Sequence, residues 1–195
     1  MSRDIFKDRE RGFEEEFFYK QDAKLIEKMR ERAKLEEIAH ALAEKLQVDN
    51  PELLRRIIDL GITRETGSAF LAAPLIQVAW AGGNVTDQER EALMRLTAAR
   101  GVEEGSAAHQ KLVELLEVRP DDQFFETAIE ALRVGFSLLP APEKEERIKG
   151  ILENCHEVAE ASGGLAKKLG LGSGVSHEEE SLLETIAAKL RAGAE

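Results

Sequence analysis

Cysteine is nearly absent: Cys155 is the only one, so no intrachain disulfide can form, and the usage fits a reducing, cytoplasmic setting. Aromatic residues make up 5% of the chain, β-branched runs are short and period-two alternation is missing, which argues against a sheet. No apolar run approaches the roughly 20 residues that a membrane span needs, so no membrane insertion is expected. The start is charged from Arg3 and has no apolar segment of the signal-peptide kind. Basic residues are the scarcer sign, 27 Lys and Arg against 38 Asp and Glu, giving a net charge of -11. That balance disfavours nucleic acid, whose phosphates need a basic stripe, and disfavours anionic membrane surfaces. No Ser, Cys or Lys has a recognisable base partner, so the chain does not read as an enzyme.

What is present is helical spacing, with 43% hydrophobic residues to build a core. The expected fold is all-α. Residues 4–46 read as one long helix or two in tandem, about 60 Å if unbroken. Leu35, Ile38, Ala39, Leu42, Ala43 and Leu46 form a stripe in its second half. Phe6, Phe13 and Phe17 nearly align among dense charges, while Leu25 and Met29 lie about a quarter turn around. Without a sustained heptad this is not a coiled coil. It reads as an aromatic docking end joined to a stem, an N-terminal amphipathic helical arm over 1–48. The charges from Asp8 to Glu37 are nearly balanced and form a solvated face, with Glu16 and Lys20 an ordinary i,i+4 pair.

The body, 49–195, reads as a chain of helices with legible punctuation. Asn50-Pro51 caps and opens one that stops at Gly61. Leu75 to Ala81 is apolar on most sides, as a buried central helix would be, and Gly82-Gly83 ends it. Thr86 and Glu89 form a capping box, and Gly101 closes that helix. Ser106 to Val118 is another. Phe125, Ile129, Leu132, Phe136 and Leu139 give a core stripe that ends at Pro140 and Pro142. The next helix carries Ile148, Ile151, Leu152, Cys155 and Ala159, a Gly-rich loop runs from Gly163 to Gly174, and Ser176 with Glu179 caps the last helix.

Two segments repeat. VAWAGG at Val78 to Gly83 parallels VAEASGG at Val158 to Gly164, and each leads into V-[T/S]-x-x-E. VTDQEREAL at Val85 returns as VSHEEESLL ninety residues later, with Leu93, Leu96 and Thr97 matched to Leu183, Ile186 and Ala187. An internal duplication is expected, with Leu93, Leu96, Leu183 and Ile186 buried.

This helix, glycine turn, V-T/S-x-x-E, helix unit resembles the tellurite-resistance TerB-like family, including the DnaJ-like co-chaperone domain, over about 65–192. The resemblance implies a compact bundle of about seven helices, and a stress-response role as tellurite or metal scaffold or sensor. Family members carry Asp-Gly where this chain has Gly82-Gly83, and the family's acidic turn has been associated with divalent metal. The matching Glu89 remains, with Glu179 its counterpart in the second copy; Asp87, Glu89 and Glu179 are the weak metal candidates, and no metal or other cofactor is expected.

A second resemblance lies at the N-terminus. FKDRERGFEEEF is similar to the opening of the zeta-type inhibitor of bacterial ATP synthase, F-x-D-R-E-x-x-F-E-x-x-F. Phe6, Asp8, Arg9, Glu10, Phe13, Glu14 and Phe17 match it, and ERAKLEEIAHALAEKL is a looser echo. In that family an N-terminal helix enters the catalytic head and stops hydrolysis. The resemblance implies a protein partner held through these seven residues, with the ATP synthase head as candidate.

Other motifs have plainer readings. Glu37-x-x-His40 and Glu153-x-x-His156 have the spacing of di-metal bundles but read as surface or flank pairs. His156-Glu157 lacks the second histidine of a zinc hydrolase. The GLGSG at Gly170 follows a helix rather than a strand and reads as a loop. Cys155, on its core stripe, reads as a small hydrophobe. Glu178, Glu179 and Glu180 oppose the positive end of their helix.

The sequence thus leads to a non-enzymatic regulatory binding protein, with a TerB-like scaffold or sensor as the alternative.

Overall fold

The computed structural model describes residues 2–162 and 175–192, with side chains for 19–161 and 175–192. The described residues are all helical in architecture, with no strand among them. Among the described residues nine helices follow in order: α1 (Ser2–Leu46), α2 (Pro51–Asp59), α3 (Gly67–Leu71), α4 (Ala73–Ala79), α5 (Asp87–Ala98), α6 (Ala107–Glu117), α7 (Asp122–Ser137), α8 (Ala141–Ser162) and α9 (His177–Arg191). Backbone contacts divide the chain into two units, Met1–His40 and Ala41–Glu195. The first is α1 alone. The second takes the last turns of α1 and everything after it.

In the second unit, Leu42 and Leu46 on α1 are buried, as is Val48 just after it. The helix stops without glycine. Gln47 takes a left-handed φ of 55°, and the Val48 amide turns back to the Ala43 carbonyl at 3.2 Å. Asn50 then caps α2 through Oδ1, which accepts from the amides of Glu52 and Leu53, both at 3.0 Å.

Pro74 punctuates the chain just before the expected Leu75–Ala81 helix: α3 ends at Leu71 and α4 begins at Ala73. Pro74 has no N–H to continue the ladder from α3, so the amides of Leu75 and Ile76 both turn to the Ala72 carbonyl. Among the described residues eight helices follow α1, against about seven expected. The payoff is packing: Ala73, Leu75, Ile76, Val78 and Ala79 on α4 are all buried. α4 is the hub, touching α3, α5, α7, α8 and α9, while α2 lies on α7 and α6 on α3. Phe70 meets Phe124 edge-on with centroids 5.5 Å apart, and Phe124 meets Phe125 likewise at 5.6 Å.

Tertiary donors finish the α6 terminus. Its last carbonyls have no partner within the helix. The indole Nε1 of Trp80 donates to the Leu115 carbonyl at 3.0 Å, and Arg90 donates to that of Leu116 at 3.2 Å. The guanidinium also suits the negative end of a helix. Ion pairs join other helices: Arg56 to Glu130 at 2.5 Å between α2 and α7, Arg95 to Glu157 between α5 and α8, and Arg191 to Glu145 between α9 and α8.

The α7 stripe is buried at Phe125, Ile129 and Leu132 and half-buried at Phe136 and Leu139. On α8, Ile148, Ile151, Cys155, Val158 and Ala159 face inward, with Leu152 half-buried. The matched stripes of α5 and α9 depart from expectation. Leu93 and Ile186 are fully buried, but Leu96 and Leu183 are only half-buried. The same sequence register therefore turns slightly different faces inward. α5 lies on α8 and α4, whereas α9 touches α7 as well.

Candidate docking surface on the N-terminal helix

Among the described residues, large apolar side chains are left in solvent at seven positions, and five of these are on α1: Tyr19, Leu25, Ile26, Met29 and Leu35. Each is at least half exposed; Tyr19 reaches 78% and Met29 64%. Met29 is three residues from Ile26 and four from Leu25, so it neighbours both on the helix surface, and Tyr19 is two turns from Ile26. Leu35 lies on another side. The neighbouring charges are solvated, and Arg32 meets Glu36 at 3.6 Å in an exposed i,i+4 pair, an arrangement that contributes only a few tenths of a kcal/mol. From Tyr19 to Glu37 every residue of α1 is exposed. Its helical state is set by propensity and by continuity with the buried end at Leu42 and Leu46. Alanine, leucine, lysine, arginine and glutamate, which favour helix, dominate residues 24–37.

The backbone carrying Phe6, Asp8, Arg9, Glu10, Phe13, Glu14 and Phe17 is helical. Their side chains lie outside the described residues, as does the Glu16 half of the pair with Lys20. The sequence reading singled out Leu25 and Met29 but passed over Tyr19 and Ile26. The signal was available in their seven-residue spacing.

The acidic candidates have structural employment. Glu89 is buried; its Oε2 accepts from the Thr86 amide at 2.7 Å and from the Thr86 hydroxyl at 2.8 Å, while Thr86 Oγ1 accepts from the Glu89 amide. Glu179 repeats this with Ser176: its Oε2 accepts from the Ser176 amide at 2.6 Å, and Ser176 Oγ accepts in return at 3.2 Å. Both are complete capping boxes. Asp87 is exposed in the first turn of α5. Among the described residues, no three His, Cys, Asp or Glu side chains converge as a metal site would require. Glu37 and His40 are exposed on α1, and His156 faces Glu160 at 3.6 Å on α8. The Gly163–Gly174 loop, with its GLGSG, lies outside the described residues.

Cys155 is fully buried, and desolvation of the thiolate pushes its pKa up to about 12. It is chemically a small hydrophobe. No helix among the described residues is long and apolar enough to cross a membrane. Against known families, curated proteins and solved structures, the chain has no match. The docking surface therefore has to be argued from its own residues.

Proposed function

We propose that this is a non-enzymatic regulatory protein whose N-terminal helix docks on a larger protein assembly, and that the catalytic head of ATP synthase is that assembly. One observation carries the reading: the exposed large apolar side chains concentrate on α1, at Tyr19, Leu25, Ile26, Met29 and Leu35. Large apolar residues left exposed on a charged helix are what a helix-in-groove partner uses as anchors. The resemblance of Phe6 to Phe17 to the zeta-type inhibitor supplies the candidate. In this reading Phe6, Phe13 and Phe17 are the leading anchors. Asp8, Arg9, Glu10 and Glu14 set register through rim ion pairs, which govern specificity and on-rate more than affinity.

The test is direct. Purified protein is added to the isolated catalytic head and ATP hydrolysis is followed. Hydrolysis should slow, and Phe13→Ala should weaken the effect by about 2 kcal/mol or more, roughly thirtyfold in concentration. Undiminished hydrolysis at saturating protein removes ATP synthase as the partner. A chain lacking residues 1–20 that binds the head as well as the full chain removes Phe6, Phe13 and Phe17 as anchors, and equal binding by a chain lacking residues 1–37 removes the docking helix itself.

A second reading is favoured by a separate observation: the two V-[T/S]-x-x-E segments form the same capping box, at Thr86 with Glu89 and at Ser176 with Glu179. This supports a TerB-like body acting as a stress-response scaffold or metal sensor. Micromolar calcium or magnesium binding by calorimetry, lost in Asp87→Ala, would promote the sensor role.

A further inference from the structure

A cavity of about 420 Å³ opens within the Ala41–Glu195 unit, where the ends of α1, α5, α7 and α8 converge near α3 and α4. Its size falls in the range of small-molecule sites. The floor is apolar, from Leu75 on α4, Leu132 on α7 and Ile151 on α8. The charged residues of its wall are all of one sign: Lys45, Arg100 and Arg147. An adjoining hollow of about 280 Å³ shares Lys45, Arg147 and Leu132 and extends the apolar wall along α7 to Leu139. Neither hollow has an acidic residue in its wall.

That selection of charge runs against the chain as a whole, in which acids outnumber bases 38 to 27. The side chains of Lys45 and Arg100 make no hydrogen bond or ion pair among the described residues, and Arg147 has only a 3.5 Å pair with Glu143 one turn away on the same helix. Ser68 and Thr97 add hydroxyl groups to the wall. Three cations, from α1, α8 and the turn after α5, around an apolar floor form a surface with two demands. Apolar atoms are wanted below, to replace water on Leu75, Leu132 and Ile151. An anionic group is wanted above, to accept charge-assisted hydrogen bonds from guanidinium and ammonium.

We propose that this cavity binds a small anionic amphiphile, a single acyl or alkyl chain ending in a carboxylate. The chain would lie over Leu132 toward Leu139, and the carboxylate would meet Arg100 and Lys45, with Arg147 closing the rim. The site does not involve the exposed part of α1 and stands apart from the docking function.

Calorimetry on the full chain with three probes of equal length tests this: sodium decanoate and decyltrimethylammonium below their micelle concentrations, and decanol below its solubility limit. Decanoate should saturate one site, and the neutral and cationic probes should bind at least about tenfold more weakly. The double variant Lys45→Gln/Arg100→Gln should lose about tenfold or more of the decanoate affinity, since each charge-assisted hydrogen bond accounts for about that factor. Both side chains are exposed, so the fold is kept, and unchanged Trp80 fluorescence on heating checks it. Acetate should not bind, because it lacks the chain. Absence of saturable decanoate binding overturns the proposal. So do equal affinities for the three probes, or a double variant that binds decanoate like the parent.

Discussion

Ile186→Ala and Leu183→Ala form an informative pair, because sequence and structure rank them differently. The repeat placed both on one buried stripe of α9. In the structure Ile186 is fully buried and Leu183 is half-buried. Removing a fully packed Ile side chain costs about 2–5 kcal/mol, transfer and cavity terms together. At Leu183 part of the side chain is already in water and its neighbourhood can relax, so about 1–1.5 kcal/mol is expected. At about 2–4 °C per kcal/mol for a unit of this size, a 3 kcal/mol loss lowers Tm by about 6–12 °C, against about 2–6 °C for Leu183→Ala. The assay follows from composition. Trp80 is the only tryptophan and sits in the Ala41–Glu195 unit, where its indole is bonded to Leu115. Its fluorescence reports on that unit, while far-ultraviolet dichroism would mix in the exposed helix. Urea melts read at Trp80 should show Ile186→Ala clearly below Leu183→Ala. Equal losses, or the reverse order, would refute the packing assigned to α9.

Three further outcomes are expected. Glu89→Ala removes a carboxylate that caps α5 and is itself buried, and should cost about 1–2 kcal/mol in the same urea melt; no measurable loss would contradict the capping assignment. The thiol of Cys155, buried and with its pKa raised, should resist Ellman's reagent in the native protein and react on unfolding; fast native labelling would count against its place in the core. The hydrogen bond from Arg191 lowers the pKa of Glu145 below its ordinary 4.5. Whatever stability the pair contributes is present above 4.5 and lost as pH falls through the lower folded value. Carboxyl NMR should show this midpoint returning toward 4.5 in Arg191→Gln, and an unchanged midpoint would sink the assignment.

Signals confined to one turn were legible in the sequence. Asn50, the Thr86 and Glu89 box, and the Ser176 and Glu179 box all cap where their residue types placed them, because a cap needs only residues two or three positions away. Features assembled across the chain were not legible. Trp80 and Arg90 complete the end of α6 only once α4 and α5 have packed beside it. Lys45, Arg100 and Arg147 stand in three separate segments that no spacing rule connects. The faces of α5 and α9 depart from their matched register because burial is decided by the neighbours each helix meets. The break between α3 and α4 follows from a single residue, Pro74, which has no N–H to continue the ladder.

The course of α1 has a consequence for how its exposed part behaves. Starting a helix in water is costly, because several residues must be fixed before the first hydrogen bond forms. In α1 that cost is met at the other end. Leu42 and Leu46 are held by the core, so the turns before them need only propagate, one bond per residue. Helicity should then be seeded from the Ala41 end and decline toward Ser2. Hydrogen exchange would register this as protection falling stepwise along the sequence, with no single cooperative loss. A glycine introduced near Ala33 would interrupt propagation from there toward the terminus and leave the Ala41–Glu195 unit as stable as before. A partner that captures the far end would meet a segment whose order depends on its distance from Leu42, and tightening its grip would mean extending a helix that the core has already begun.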